Sequence, residues 1–244
     1  MINRVLAGTA VGLTLLSGTA TAHAEPVKGA PELTHNELYK AAKLPKVSCK
    51  LNKGTSTAST KKYVTELVGC LNTAWKPAIK DFKPVEVKFK EASDKRSCST
   101  GMDLSGSIAE VCATFISVRL ANDWIKAKDD LKVFTSIVMT WSGVVTGQTG
   151  IGEAWWSLEN GAVESVMHEH NRRYYLQVDC FAGVSAKSLG RVVKDWKPVI
   201  KVPDSWKNRF HGKTANRLYW IKKGYASGRP GACNTWTAGS TKVA

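Results

Sequence analysis

The sequence is short of histidine, with five in 244 residues, and short of acid, with 20 Asp and Glu against 35 Lys and Arg. It has no Cys-x-x-Cys pair, which excludes zinc-ribbon and thioredoxin-type redox readings. It has no Gly-x-Ser-x-Gly elbow to support a serine nucleophile. No internal repeat, low-complexity tract or long Lys/Arg block is present, so solenoids, disordered linkers and basic tails are excluded. Long apolar runs are missing too. The apolar run Val5 to Leu16 falls short of the roughly 20 residues that span a bilayer.

That run has another use. Arg4 precedes it, and small residues with the triplet Ala22-His23-Ala24 follow it, the three-part layout of a secretory signal peptide with cleavage after Ala24. Residues 25–244 then form a product with no transmembrane segment, long enough for one domain with a real core. Six cysteines remain, Cys49, Cys70, Cys98, Cys112, Cys180 and Cys233. An even count in an oxidising compartment predicts three disulfides, though spacing alone does not select among the 15 pairings. The net charge of +15 is carried by residues 25–96 and 187–244, while 97–186 is slightly acidic. Outside a cell such a surface meets anionic wall polymers or headgroups; it equally serves solubility, and nothing marks a specific nucleic-acid site.

Residues 25–46, punctuated by Pro26, Pro31 and Pro45, read as an N-terminal surface arm. Tyr63, Leu67, Cys70, Leu71 and Trp75, behind Ser59-Thr60, have the spacing of a capped amphipathic helix. Val85 to Lys90 alternates as a half-exposed strand, and Val111 to Val118 reads as a second β-branched stretch. A Cys98–Cys112 bridge would close the connection between these strands. Val133, Phe134, Ile137, Val138, Trp141, Val144 and Val145 mark one long helix, ended by a loop at 147–152. Val163, Val166, His170, Tyr174, Val178, Phe181 and Ala182 mark another, and Thr214 to Tyr225 a last one closed by Gly228. The class is α+β, a helix-dominated single domain with a small sheet.

Three constellations invite chemistry. His168-Glu169-His170, with Glu164 a turn earlier, suggests a metal, but the two histidines point about 200° apart on a helix and read better as a solvated face. His211 has no evident base or nucleophile partner. Gly147 to Gly152 follows a helix rather than a strand and lacks the Lys-Ser/Thr of a phosphate loop, so it reads as a helix terminus and turn.

The stretch Leu176-Gln177-Val178-Asp179-Cys180-Phe181-Ala182-Gly183-Val184 resembles the ELQADCFAGVW signature of the neutral zinc metallopeptidase family, a zincin-like group common among exported bacterial proteins. Leu44 to Cys49 with Cys70 to Trp75, the pair Cys98 and Cys112, and His211 to Gly228 with Ala232 to Trp236 fall in the family's order, so the resemblance covers nearly the whole mature chain, with 47–244 as the zincin-like domain. It implies the pairing Cys49–Cys70, Cys98–Cys112 and Cys180–Cys233. It also implies a site that is absent. The family's HExxH presents two imidazoles to zinc and a Glu to the bound water; here Thr140, Trp141 and Val144 stand at those three positions, and Tyr175 stands at the third-ligand Glu. Asp179 survives with no ligand to orient, and its expected role is a buried carboxylate met by Arg, Lys or backbone.

No metal and no cofactor are therefore expected, and no catalytic group is intact. The resemblance implies a secreted pseudopeptidase whose old cleft, lined by Trp141, Trp155 and Trp156 if those indoles are not simply core, holds a peptide, protein or anionic envelope polymer. The alternatives are an active zinc peptidase with non-standard ligands and a basic wall-associated structural protein.

Overall fold

The computed structural model describes residue 27 and residues 29–244 apart from 92, 99–104, 113 and 160–162. The expected signal peptide at 1–24 lies outside the described residues. The described elements run α1 (Pro31–Thr34), α2 (Thr57–Trp75), β1 (Glu86–Lys90), β2 (Ile108–Cys112), β3 (Phe115–Arg119), α3 (Asn122–Ile125), α4 (Leu131–Gln148), α5 (Ile151–Glu159), α6 (Glu164–Ser188), α7 (Asp204–Trp206) and α8 (Thr214–Ser227). Helices dominate, and the three strands form one small sheet.

α2 starts earlier than Ser59 because Ser56 and Ser59 form a reciprocal capping box. Ser59 N donates to Ser56 Oγ at 3.2 Å and Ser56 N donates to Ser59 Oγ at 2.9 Å, satisfying two otherwise orphaned donors. Its apolar stripe, Tyr63, Val64, Leu67, Val68, Leu71, Ala74 and Trp75, is buried as the spacing requires. The stretch 111–118 is not one strand. β2 and β3 pair antiparallel with Cys112 opposite Phe115, and β3 lies between β2 and a parallel β1. Apolar content alone does not reveal a turn that falls inside a β-branched run.

The connection after α4 is shorter than the 147–152 loop expected from its glycines. Helix continues through Gly147, breaks at Thr149-Gly150 with Gly150 at φ +74°, and resumes at Ile151 as α5. The described part of the expected arm, residue 27 and residues 29–46, is more deeply packed than a surface arm. Leu33, Leu38 and Leu44 are buried, and the backbone is tied to distant segments by Leu44 N donating to Gly228 O at 3.0 Å and Val47 N to Ser188 O at 2.9 Å. Pro31 and Pro45 bracket the three leucine anchors.

The cysteines pair as Cys49–Cys70, Cys98–Cys112 and Cys180–Cys233, with none left free. The first ties the segment after residue 46 to α2, the second ties the segment after β1 to β2, and the third ties α6 to the C-terminal segment. Among the described residues no helix is long and apolar enough to cross a membrane.

Candidate functional site

The signature stretch on α6 is occupied with architecture. Leu176 is fully buried in the core. The Gln177 amide is a three-way clasp: its Nε2 donates to Tyr39 Oη at 2.7 Å and Cys233 O at 3.1 Å, while its Oε1 accepts from Trp236 Nε1 at 3.1 Å. Arg173, one turn earlier and fully buried, donates to Thr235 O and Ala238 O and pairs with Glu169 at 2.8 Å. These bonds knit the two chain ends onto one helix.

Asp179 meets the Arg217 guanidinium of α8 in a fork, with Nε to Oδ2 at 2.7 Å and Nη2 to Oδ1 at 2.8 Å, and Arg217 also donates to the Ile200 carbonyl. Both side chains are almost wholly buried. Burial raises the Asp179 carboxyl above its ordinary range, and Arg217 works against that rise. The expected role as a carboxylate satisfied by a basic partner is the geometry observed. Cys180 is in its disulfide, and Gly183 faces the α8 backbone at the closest point of the α6–α8 crossing.

The four positions that would carry the metal chemistry are placed differently from one another. Thr140 Oγ1 donates to the Ala109 carbonyl of β2 at 3.1 Å, so its hydroxyl serves the sheet. Trp141 is fully buried, tilted against Phe82 at 6.5 Å, with its Nε1 lacking a hydrogen-bond partner. Val144 is buried but borders open space. Tyr175 lies on α6 among aromatic rings, 4.6 Å from His211 and 6.1 Å from Phe210. A committed hydroxyl, an indole, an isopropyl group and a phenol do not make a zinc donor set, and the residues do not fit the ion.

Beside Val144 lies a cleft of about 550 Å³. Its floor is the α4 face carrying Gly143, Val144 and Gly147; its walls are Val111, Thr114 and Phe115 of the hairpin and the loop 80–85 with Lys80, Asp81 and Lys83. The glycines are four apart on one helical face; a Cβ at Gly147 would meet nothing within 4 Å, while one at Gly143 would press on Val111 at 3.1 Å. The loop is fixed to α4 by one amide: Lys83 N donates to Gln148 Oε1 at 3.1 Å, and Gln148 Nε2 donates to Lys83 O at 2.7 Å. Asp81 in that loop sits at φ +53°, a left-handed conformation uncommon for a residue with a side chain. The sequence reading missed this loop; the Gly143/Gly147 spacing was the one signal that could have pointed to it.

Trp141, Trp155 and Trp156 do not line that cleft. Trp141 faces the core because it shares the α4 face of Phe134, Ile137 and Val138. Trp155 and Trp156 lie on α5 and join a separate aromatic belt with Tyr174, Tyr175, Phe210, His211 and Trp206. Of the candidate metal histidines, His168 stands 3.6 Å from Glu164 on its own helix, and Glu169 is engaged with Arg173. Among the described residues no three His, Cys, Asp or Glu side chains converge as a metal-binding group.

His211 has a consequence for stability. Burial first, and Arg217 second, lower its pKa from the ordinary 6.5 to about 4. Protonation is therefore easier in the unfolded chain, and this contribution is complete above pH 6.5, lost as pH falls toward 4 and constant below that. The full shift corresponds to about 3 kcal/mol, of which about 2–3 kcal/mol is lost by pH 4.5. Urea titrations at pH 7.5 and 4.5 should show the native chain losing that much more stability on acidification than His211→Gln. The comparison with the variant is needed because Asp179, its carboxyl raised, titrates with the opposite sign.

Compared with known proteins, the chain matches no family model, no curated protein and no solved structure.

Proposed function

We propose that the chain is an exported, non-catalytic relative of the neutral zinc metallopeptidases, zincin-like in fold, whose α4 cleft holds a peptide, protein or envelope polymer without cleaving it. The observation that carries this reading is the composition of the cleft. Its floor is Gly143, Val144 and Gly147, where a peptidase would need an imidazole, and among the described residues the only acid on its walls is Asp81. Without a metal donor set there is no Lewis acid and no water with its pKa brought toward 7. The disulfide pairing, which is the one the resemblance implies, and the structural employment of Gln177, Asp179, Cys180 and Gly183 support a scaffold retained after its chemistry was lost. Three disulfides fit an oxidising compartment and hence secretion. Lys80 and Lys83 on the wall favour an acidic ligand.

Elemental mass spectrometry on the untagged protein should return background zinc. A variant carrying Thr140→His and Val144→His, one turn apart on α4, should gain weak zinc binding, since two imidazoles on one helical face can share an ion. Stoichiometric zinc in the native chain would overturn the non-catalytic reading. A variant that keeps its circular dichroism yet binds no zinc would count against the zincin-like scaffold.

A further inference from the structure

Five of the nine tryptophans, Trp75, Trp124, Trp141, Trp220 and Trp236, are fully buried core. The aromatic belt is of another kind. Trp156 on α5 is 62% exposed and Trp206 on α7 is 52% exposed, and the rings between them are only half-buried. From one to the other the rings form an unbroken series, Trp156–Trp155–Tyr175–His211–Trp206, in steps of 6.2, 6.4, 4.6 and 6.2 Å between centroids. Neighbours hold each ring in place. Trp155 stacks on Tyr174 at 4.0 Å and 13°, Tyr174 Oη and Thr146 Oγ1 share a hydrogen bond of 2.9 Å, and Phe210 meets both Tyr175 and Trp206 edge-on. The belt is thus organised before any ligand arrives, which removes much of the ordering cost of binding.

Leaving two indoles more than half in water is costly unless something covers them. We infer that this belt is a second binding site, separate from the α4 cleft, for an extended polysaccharide of equatorially substituted pyranose units.

Three features select that occupant. The two open indoles, Trp156 and Trp206, stand at the two ends of the belt with edge-on rings between them, Trp155 at 72° to Trp156 and Tyr175 at 74° to Trp155, so an extended chain long enough to reach both sets a sugar on each. The flat CH face of such a sugar suits an open indole face, as apolar and polarised C–H groups meet the negative π surface. Polar groups gather at the Trp206 end: His211 is itself a rung, Arg209 lies against Phe210, and Lys207 follows Trp206, an arrangement that suits a ligand with a hydroxyl rim. A bilayer favours an unbroken apolar face without such charged neighbours instead.

The inference does not depend on kinship to peptidases. Tryptophan fluorescence and calorimetry with the β-1,4-linked hexamers of glucose and of N-acetylglucosamine test it, with sedimentation against phosphatidylglycerol–phosphatidylcholine vesicles alongside. Saturable binding to at least one hexamer is expected. Trp156→Ala and Trp206→Ala should each weaken it several-fold, and the double variant at least tenfold, with thermal melting unchanged because both side chains are largely outside the core. No saturable binding to either hexamer at millimolar concentration would overturn the inference. So would binding unaffected by the double variant, or a vesicle interaction that the double variant abolishes while sugars remain inert.

Discussion

Replacing Gly224 with alanine should cost at least about 3 kcal/mol, beyond the usual range for an added methyl group, because the new atom has nowhere to go. A Cβ there would stand 2.0 Å from the Cys180 carbonyl oxygen, and one at Gly183 would stand 2.1 Å from the Ile221 carbonyl oxygen. The obstacle in both cases is the backbone of the partner helix, so no rotamer change relieves it. α6 and α8 would have to separate, disturbing the Cys180–Cys233 bridge and the Asp179–Arg217 fork that lie at the same crossing. For a domain of this size the melting temperature should fall by roughly 6–12 °C. Gly69 supplies the control. It lies within α2, is exposed, and a Cβ there meets nothing within 4 Å, so Gly69→Ala should stabilise by about 0.5–1 kcal/mol. Equal effects at Gly69 and Gly224 in urea unfolding would show that the helices do not approach as closely as described.

Arg217→Met should destabilise by about 3–5 kcal/mol, the cost of stranding a buried carboxylate without its partner. Asp179→Leu should cost a similar amount by stranding the guanidinium. The double variant should recover most of the loss, since two apolar side chains of similar volume remove both desolvation penalties together. The cycle thereby separates a structural pair from a catalytic remnant: a strong negative departure from additivity in unfolding free energy is the signature of the former. Additive losses would mean that the two groups act through other partners, such as the Ile200 carbonyl that Arg217 also reaches.

The parts of this fold that follow from spacing were legible. Tyr63 to Trp75 and Val133 to Val145 repeat every three or four residues, and a helix is the one local structure that puts such residues on a single face. The 85–90 alternation made a strand for the corresponding reason. Boundaries were less legible where a side chain outside the periodic run decided them, as Ser56 did for α2. Residues 25–46 were misjudged because a mixed, proline-bearing segment carries no period, and its three leucines acquire meaning only from the pockets that receive them.

Chemistry divides in the same way. Sequence by itself determined what the chain lacks: with Thr140, Trp141, Val144 and Tyr175 at the positions the resemblance assigns to zinc chemistry, the missing donor atoms are a property of the side chains and need no coordinates. It also determined the even cysteine set and the basic balance. Only the tertiary structure decided what the remaining residues do. Trp141 became core while Trp156 stayed in water, Asp179 found its cation 38 positions away on α8, and two glycines four apart became the floor of a cleft. Side-chain type is local, but burial, partner and open space depend on segments that meet only when the chain folds, and no spacing within one segment encodes what another brings to it.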